Sequence, residues 1–149
     1  AKSSAGASGL MQLMPRTARW VAQRLGMKGF SLAQVNDIDV NIALGTSYLR
    51  YVLDSVDGHP VLAAAAYNAG PGRARKWKAD RALEGAIYAE SIPFSETREY
   101  VKRVMSNTVY YAALYGGDAR SLKARLGVVP SRRSGEGYEA TITGYATVE

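Results

Sequence analysis

Apolar residues recur at helical spacing along most of the chain. Between Pro15 and Gly26 four of them lie three or four residues apart, which predicts an amphipathic helix that Gly26 ends. These are Ala18, Val21, Ala22 and Leu25. A second helix is predicted after Asp37 or Asp39, because either residue can cap it. Its core-facing stripe is Val40, Ala43, Leu44, Ser47, Tyr48, Tyr51 and Val52.

The alanine-rich segment Pro60–Ala69 predicts a central buried helix, because small side chains let neighbouring helices approach closely. The glycines and proline of residues 70–72 break it, and a short basic helix over residues 73–78 follows. A long helix is predicted from Ser95, a good N-cap, to the glycine pair at residues 116–117. Its predicted buried stripe is Val101, Val104, Met105, Thr108, Tyr111, Ala112 and Tyr115.

Shorter helices over residues 81–89 and 121–126 complete an all-α prediction of six or seven helices. Residues 131–149 are predicted to form an extended tail, because a proline, paired arginines and glycines mark its start. Residues 138–148 alternate weakly between apolar and polar positions, and this pattern is too weak to predict a strand.

Composition narrows the chemistry. The formal net charge is +6, from 19 Lys and Arg against 13 Asp and Glu, which favours polyanions such as nucleic acid, anionic lipid or acidic cell-wall polymer. There is no cysteine, which excludes disulfides, thiol nucleophiles and thiolate metal sites. The one histidine, His59, precedes Pro60 in a turn-like stretch and is interpreted as a loop residue. We therefore expect no metal or other cofactor.

No apolar run approaches the ~18 residues of a membrane span. The chain begins at Ala1 without methionine, in the middle of a polar, loop-like stretch, so we expect it to be a piece of something longer.

Three blocks are poorly explained by helix packing alone. The first, residues 4–15, combines small residues that let a backbone approach a ligand with one amide, Gln12, in an apolar run. The second places Tyr67 and Asn68 at the end of the most apolar helix, where buried polar groups need hydrogen-bond partners. The third places Glu96 in the first turn of the long helix, with Tyr100 one turn later. Ordinary loop, turn and helix-terminus chemistry would explain each block taken singly.

Taken in order, the blocks resemble the soluble lytic transglycosylases. They read SAGASGLMQLMP at 4–15, AYNAGPG at 66–72 and IPFSETREYV at 92–101. The resemblance covers about residues 1–130, and it is greatest to the catalytic domain of large periplasmic members that also contain an α-helical superhelix. It implies a lysozyme-like helical fold, related to goose-type lysozyme, and the peptidoglycan glycan strand as partner.

Enzymes of this family cleave the β-1,4 bond between N-acetylmuramic acid (MurNAc) and N-acetylglucosamine (GlcNAc) without adding water. The muramoyl C6 hydroxyl closes onto C1 and gives a 1,6-anhydro product. One carboxylic acid protonates the departing oxygen and then takes the proton of the C6 hydroxyl, unlike the two-carboxylate arrangement of most glycosidases. Burial in an apolar pocket is the physical way to raise the pKa of such an acid.

The resemblance implies supporting rather than acid roles for this chain. The family's catalytic glutamate lies in a Glu-Ser pair that would fall upstream of Ala1, so we expect a missing N-terminal segment, or other domains of the same protein, as a further partner. Gln12, Tyr67 and Glu96 match residues that support catalysis. The matches for substrate binding are Ser3, Met14, Asn68 and Tyr100.

Three other classes of function stay open. A lysozyme-like muramidase would differ in what attacks C1, and a non-catalytic glycan-binding or scaffold domain would keep the groove without the acid. A basic nucleic-acid binder ranks last, because the charges are dispersed and no stacking platform or recognition helix is visible.

Overall fold

A computed structural model describes residues 3–118 and 120–135 of the chain. The chain divides into two compact units, Ala1–Asp54 (unit 1) and Ser55–Glu149 (unit 2). The described residues contain seven α-helices and one short pair of strands. No helix in this part of the chain is long and apolar enough to cross a membrane.

Unit 1 contains α1 (Pro15–Arg24), a 3-10 helix (Leu32–Asn36) and most of α2 (Ile38–Ser55). Its core consists of Leu13, Ala18, Val21, Ala22, Val35, Leu44 and Val52. Asp37 is the cap that α2 uses, since its Oδ1 accepts the Val40 amide at 3.0 Å. The 3-10 helix was not predicted, and a Ser31–Gln34 capping box starts it. Leu25, Ala43 and Tyr51 are exposed, contrary to the predicted stripes, because each lies at the margin of a buried face.

Unit 2 is built around α3 (Pro60–Ala69), whose residues 61–66 are all buried. The helix packs against α4 (Pro71–Lys76), α6 (Ser95–Leu114) and α7 (Leu122–Leu126). The prediction of a central alanine-rich helix is thereby confirmed. Between α4 and α6 lie β1 (Leu83–Glu84) and α5 (Gly85–Ser91). Strand β1 pairs antiparallel with β2 (Val128–Val129), with Leu83 opposite Val129 and Glu84 opposite Val128.

Two predictions about α6 are wrong in detail. Ser95 is its first residue and not its N-cap, which is Phe94, and no side chain caps this end. Tyr111 and Tyr115 do not lie in the core, and Tyr115 is 81% exposed. The buried stripe holds at Val101 and Met105 and ends there, because the C-terminal turns of the helix extend beyond the buried region of the unit.

The chain after β2 folds back onto the end of α4. The Arg132 amide donates to Ala79 O at 2.8 Å, and its guanidinium donates to Lys76 O at 3.2 Å and Lys78 O at 2.8 Å. These carbonyls follow the end of a helix and need donors. Arg132–Gly135 form a 3-10 helix, which differs from the extended tail expected for these residues. The expectation for residues 136–149 lies outside the described residues.

Candidate active site

Residues 3–14, which carry three of the predicted site residues, form a loop that folds back on itself. Ser8 and Leu13 exchange backbone hydrogen bonds of 2.9 and 3.0 Å, so the four residues between them form a tight loop. Ser3 closes the start of the loop, because its Oγ accepts the Ala7 amide at 2.9 Å and its own amide donates to Ala7 O at 2.8 Å. Leu13 is buried and anchors the end.

A buried asparagine of α2 fixes this loop. Asn41 is 1% exposed, and its Oδ1 accepts the Met11 amide at 2.7 Å. Its Nδ2 donates to Ser8 O at 3.1 Å and to Val35 O at 3.0 Å, so three bonds satisfy the amide group. Gly9, at a φ of +76°, lies directly against the Asn41 side chain, where a Cβ would overlap it. The close backbone approach predicted for this segment is therefore confirmed at Gly9.

Gln12 has a backbone conformation that side-chain-bearing residues rarely adopt. Its φ is +48°, and both its amide and its Nε2 donate to Gly9 O, at 3.2 and 2.7 Å. Strained backbone of this kind persists where the surroundings over-determine it and is common at functional sites. The side chain is exposed, and its Oε1 has no partner among the described residues. Met14, also exposed, is the N-cap of α1, and its carbonyl accepts the Ala18 amide at 2.9 Å.

The other predicted site residues lie in unit 2, where the last turn of α3 is tied to the first turn of α6. Thr97 Oγ1 donates to Asn68 Oδ1 at 2.7 Å. Thr97 is 2% exposed, whereas Asn68 and the neighbouring Glu96 are exposed. The bond therefore brings the Tyr67–Asn68 end of α3 to the helix start that carries Glu96.

Tyr100 follows Glu96 by one turn of α6. Burial of its ring raises the pKa of the Tyr100 phenol. No hydrogen bond joins Tyr100 to Glu96 in residues 3–118 and 120–135, so the predicted support of Glu96 by Tyr100 stays a prediction. What this region offers chemically is an exposed carboxyl group at a helix start, beside a half-buried tyrosine. Such a carboxyl group can stabilise developing positive charge or accept sugar hydroxyls.

Two residues that position the site were missed from the sequence. Asn41 carried a signal, because it is spaced by three, seven and eleven residues from Leu44, Tyr48 and Val52 and so lies on the buried stripe of α2. A polar amide there requires partners and predicts a fixed neighbouring loop. Thr97 carried no such signal, since a threonine in a first helical turn is ordinary.

His59 is the N-cap residue of α3, in agreement with its interpretation as a loop residue. Its Nε2 lies 3.0 Å from Val128 O, and burial lowers the pKa of the imidazole. It lines a cavity of about 590 Å³ together with Met105, Thr108 and Arg125. This cavity contains none of the predicted site residues. The part of the chain that the structure describes holds no cluster of three His, Cys, Asp or Glu side chains placed for a metal.

Comparison with known proteins decides the family. The model of the transglycosylase SLT domain matches residues 1–88, which include Gln12 and Tyr67, and that of the soluble lytic transglycosylase helical domain matches residues 91–120. The chain belongs to the SLT transglycosylase family. Its resemblance to the soluble lytic transglycosylases is thereby confirmed.

Two named relatives are soluble lytic murein transglycosylases. The soluble lytic murein transglycosylase of Escherichia coli K12 is 46% identical over 118 residues, covering 77% of this chain and 18% of that protein. The Salmonella typhimurium protein of the same name is 44% identical over 118 residues, again 77% and 18% of the two chains. This chain therefore spans about a fifth of the length of these relatives.

Two crystal structures have the same fold. An inactive glutamate-to-glutamine variant of lytic transglycosylase Slt from Pseudomonas aeruginosa superposes with a TM-score of 0.74 at 46% identity, covering 83% of this chain and 20% of that one. The 70-kDa soluble lytic transglycosylase of E. coli gives 0.72 at 41% identity, covering 85% and 20%. The all-α, lysozyme-like fold class predicted from the sequence is confirmed, with the two-residue strand pair as a small addition.

Proposed function

We propose that this chain is part of a peptidoglycan lytic transglycosylase of the bacterial periplasm. The reaction is the cleavage of the MurNAc-β-1,4-GlcNAc bond with formation of 1,6-anhydro-MurNAc, a lyase-type reaction. The observation that carries the proposal is the family match over residues 1–88, in a chain whose relatives are named soluble lytic murein transglycosylases. Residues 1–130 would be the catalytic-domain portion, and the peptidoglycan glycan strand is the substrate.

The loop of unit 1 contributes polar groups that are fixed before substrate arrives. Gln12 presents an exposed Oε1, and its strained backbone is held by two hydrogen bonds to Gly9 O. A fixed oxygen of this kind suits an acceptor for a sugar hydroxyl or acetamido N–H. Met14 offers an exposed side chain beside it, able to pack on an apolar sugar face. The Ser3 hydroxyl accepts from the Ala7 amide and keeps its own proton to donate to a substrate oxygen.

The α3–α6 junction of unit 2 contributes the charged group. Glu96 is assigned to stabilise positive charge at the sugar C1 as the bond to the departing oxygen breaks. Tyr67 is assigned to orient the general acid, and Asn68 to hold the Tyr67 backbone through the hydrogen bond from Thr97. Tyr100, with a raised pKa, stays a neutral donor near Glu96 throughout the physiological range.

The general acid and base is assigned to a glutamate outside residues 1–149, in a segment that completes the domain. Six of the seven glutamates of this sequence are not followed by a serine, and the Glu90-Ser91 pair comes long after the block at residues 4–15, which the family's Glu-Ser pair precedes. In the P. aeruginosa relative, replacement of one glutamate by glutamine gives a variant described as inactive. Dependence on a single carboxylic acid is what the mechanism requires, because the C6 hydroxyl of the substrate is the nucleophile.

The test is digestion of peptidoglycan sacculi by the full-length protein, with the released fragments measured by mass spectrometry. Fragments lighter by one water than the reducing disaccharide peptides are the expected result. Reducing ends would mean a muramidase, and sacculus binding without release would mean a glycan-binding or scaffold domain; either result overturns the proposal.

Glu96→Gln should lower kcat by about tenfold to a hundredfold. Glu84→Gln, at an exposed carboxyl in β1, is the matched control and should leave kcat unchanged.

A further inference from the structure

An arginine stacked on an aromatic ring lies next to the α3–α6 junction. The Arg73 guanidinium carbon is 5.3 Å from the centroid of the Phe94 ring, and the Trp77 ring meets Phe94 edge-on with centroids 5.3 Å apart. Arg73 and Trp77 come from α4 and its C-cap, and Phe94 is the residue before α6. We call these three residues the Arg73 platform. Phe94 is 47% exposed, and Glu96 follows it by two residues.

The platform is held by a rigid support. Ala74 is fully buried, and its carbonyl accepts the hydroxyl of buried Tyr88 at 2.9 Å. Further along, the Arg132 guanidinium binds the carbonyls of Lys76 and Lys78. The middle and the C-terminal end of α4 are therefore fixed by side chains from distant parts of unit 2. A group mounted on such a helix loses little conformational freedom when it binds a ligand.

Most of the hydrogen-bonding capacity of Arg73 is unused. Its Nη1 donates to Ala69 O at 3.4 Å, while Nε and Nη2 have no acceptor, and no carboxylate lies within ion-pair distance in residues 3–118 and 120–135. Arg50 and Arg120, by contrast, pair with Asp54 and Asp118. A guanidinium in contact with an aromatic ring still has its N–H groups available for an acceptor, and the Nε/Nη2 edge is the fork that matches a carboxylate.

We propose that the Arg73 platform is a carboxylate-binding subsite of the glycan-strand site. The Nε and Nη2 protons would bind both oxygens of one substrate carboxylate, while the contact with Phe94 restrains the guanidinium. The identity of the ligand rests on the proposed function, since MurNAc carries a lactyl carboxyl group that is either free or joined to a stem peptide with carboxylates of its own. The subsite therefore selects MurNAc-containing strands over uncharged N-acetylglucosamine polymers.

The experiment is a calorimetric titration of the full-length protein with disaccharide-peptide fragments of peptidoglycan, before and after their carboxyl groups are converted to amides. The unmodified fragment should bind about tenfold more tightly than the amidated one, and Arg73→Gln should abolish that preference. Arg73→Lys should not restore it, because a point charge lacks the fork. Persistence of the preference in Arg73→Gln, or its full recovery in Arg73→Lys, would overturn the proposal.

Two control variants remove one positive charge elsewhere. Arg75→Gln alters the same helix, and Arg24→Gln alters an arginine that also stacks on aromatic rings, those of Trp20 and Tyr51. Both should keep the tenfold preference; an equal loss in either would mean that general charge attraction explains binding. The lactyl carboxyl group is free only in a peptide-free disaccharide, which therefore assigns the source. If Arg73→Gln weakens binding of this disaccharide, the subsite also takes the lactyl carboxylate, and if the loss needs the peptide, it takes stem carboxylates alone. Carboxylate preference without anhydro products would leave the subsite standing while the transglycosylase proposal failed.

Discussion

Asn41 of unit 1 and Asn68 of unit 2 both fix backbone that carries predicted site residues, and they do so in different ways. Asn41 is buried and makes three hydrogen bonds, which join α2 to the loop and to Val35. Asn68 is exposed and accepts one hydrogen bond, from Thr97. A buried amide cannot exchange its partners for water, whereas an exposed one can.

The two regions are therefore ordered to different degrees. The Gln12 loop is held by a fully satisfied network, so its geometry exists before substrate binds and is costly to disturb. The α3–α6 junction is held by the packing of its helices and by the part-buried bond from Thr97 to an exposed asparagine, so the exposed partner can adjust at little cost. Substitutions in the loop should therefore reduce stability more than those at the junction.

The largest effect is expected from Asn41→Ala. The change leaves the Met11 amide and the Val35 carbonyl without their Asn41 partner and leaves Ser8 O with the Leu13 amide alone, which should cost about 3 kcal/mol of unfolding free energy. Asn41→Asp should be nearly as harmful, because it can accept from Met11 but cannot donate to either carbonyl. Urea denaturation measures the loss, and amide exchange at Met11 localises it.

Asn36→Ala is the matched control for Asn41, since Asn36 is exposed in the same unit and should change stability by no more than about 0.5 kcal/mol. Equal losses in the two variants would contradict the comparison, because the buried network would then contribute nothing of its own.

A smaller effect is expected from Gly45→Ala. A Cβ at this buried position of α2 would overlap the Met11 side chain, so the loop must shift, at about 2 kcal/mol. The Met11 Cβ is itself among the overlapping atoms, so the whole side chain must be removed to relieve the overlap. Gly45→Ala with Met11→Gly should therefore be more stable than the sum of the two single losses predicts. Strict additivity in urea denaturation would show that the loop does not rest on α2 through this contact.

The sequence predicted the helices well because their periodicity is a local property. The segments α1, α3 and α7 lie within a residue or two of the predicted bounds, and Gly26 and residues 116–117 follow helices as expected. Periodicity shows which face of a helix is apolar, but it does not show how much of that face the neighbouring elements cover. Leu25, Tyr111 and Tyr115 were therefore placed in the core wrongly.

What the sequence did not predict depends on contacts distant along the chain. The pairing of β1 with β2 joins two-residue strands separated by more than forty residues, too short to leave an alternating pattern. The stacking of Arg73 on Phe94 and the bond from Thr97 to Asn68 likewise need the folded arrangement of α3, α4 and α6. The positive φ of Gln12 follows from the loop closing on itself and not from any preference of glutamine.

At the junction, Thr97→Val should cost about 1 kcal/mol. The change keeps the shape of the buried side chain and removes the hydroxyl that donates to Asn68, whose oxygen can turn to water instead. A double-mutant cycle with Asn68→Ala measures the bond itself, with an expected coupling of about 1 kcal/mol. Thr46→Val, at an exposed threonine of α2, is the control for losing a hydroxyl. A coupling as large as the loss in Asn41→Ala would remove the contrast between the two regions.

The smallest effect is a pH dependence confined to unit 2. Burial lowers the pKa of His59 below its ordinary 6.5, so the unfolded chain takes up the proton first as pH falls. The stability contributed by neutral His59 is complete above pH 6.5 and is lost as pH falls from there to the lowered pKa, below which the loss levels off.

His59→Gln keeps a donor for Val128 O and removes the titration, so the difference between wild type and variant isolates the histidine from the carboxyl groups. Between about pH 7.5 and about pH 5, the wild type should lose slightly more stability than His59→Gln. Amide exchange should show that loss in α3, whose first turn follows His59, and not in α1, since unit 1 contains no histidine. A loss of equal size in α1 would mean that the two units unfold together, and the comparison between their regions would then have to be drawn from local exchange alone.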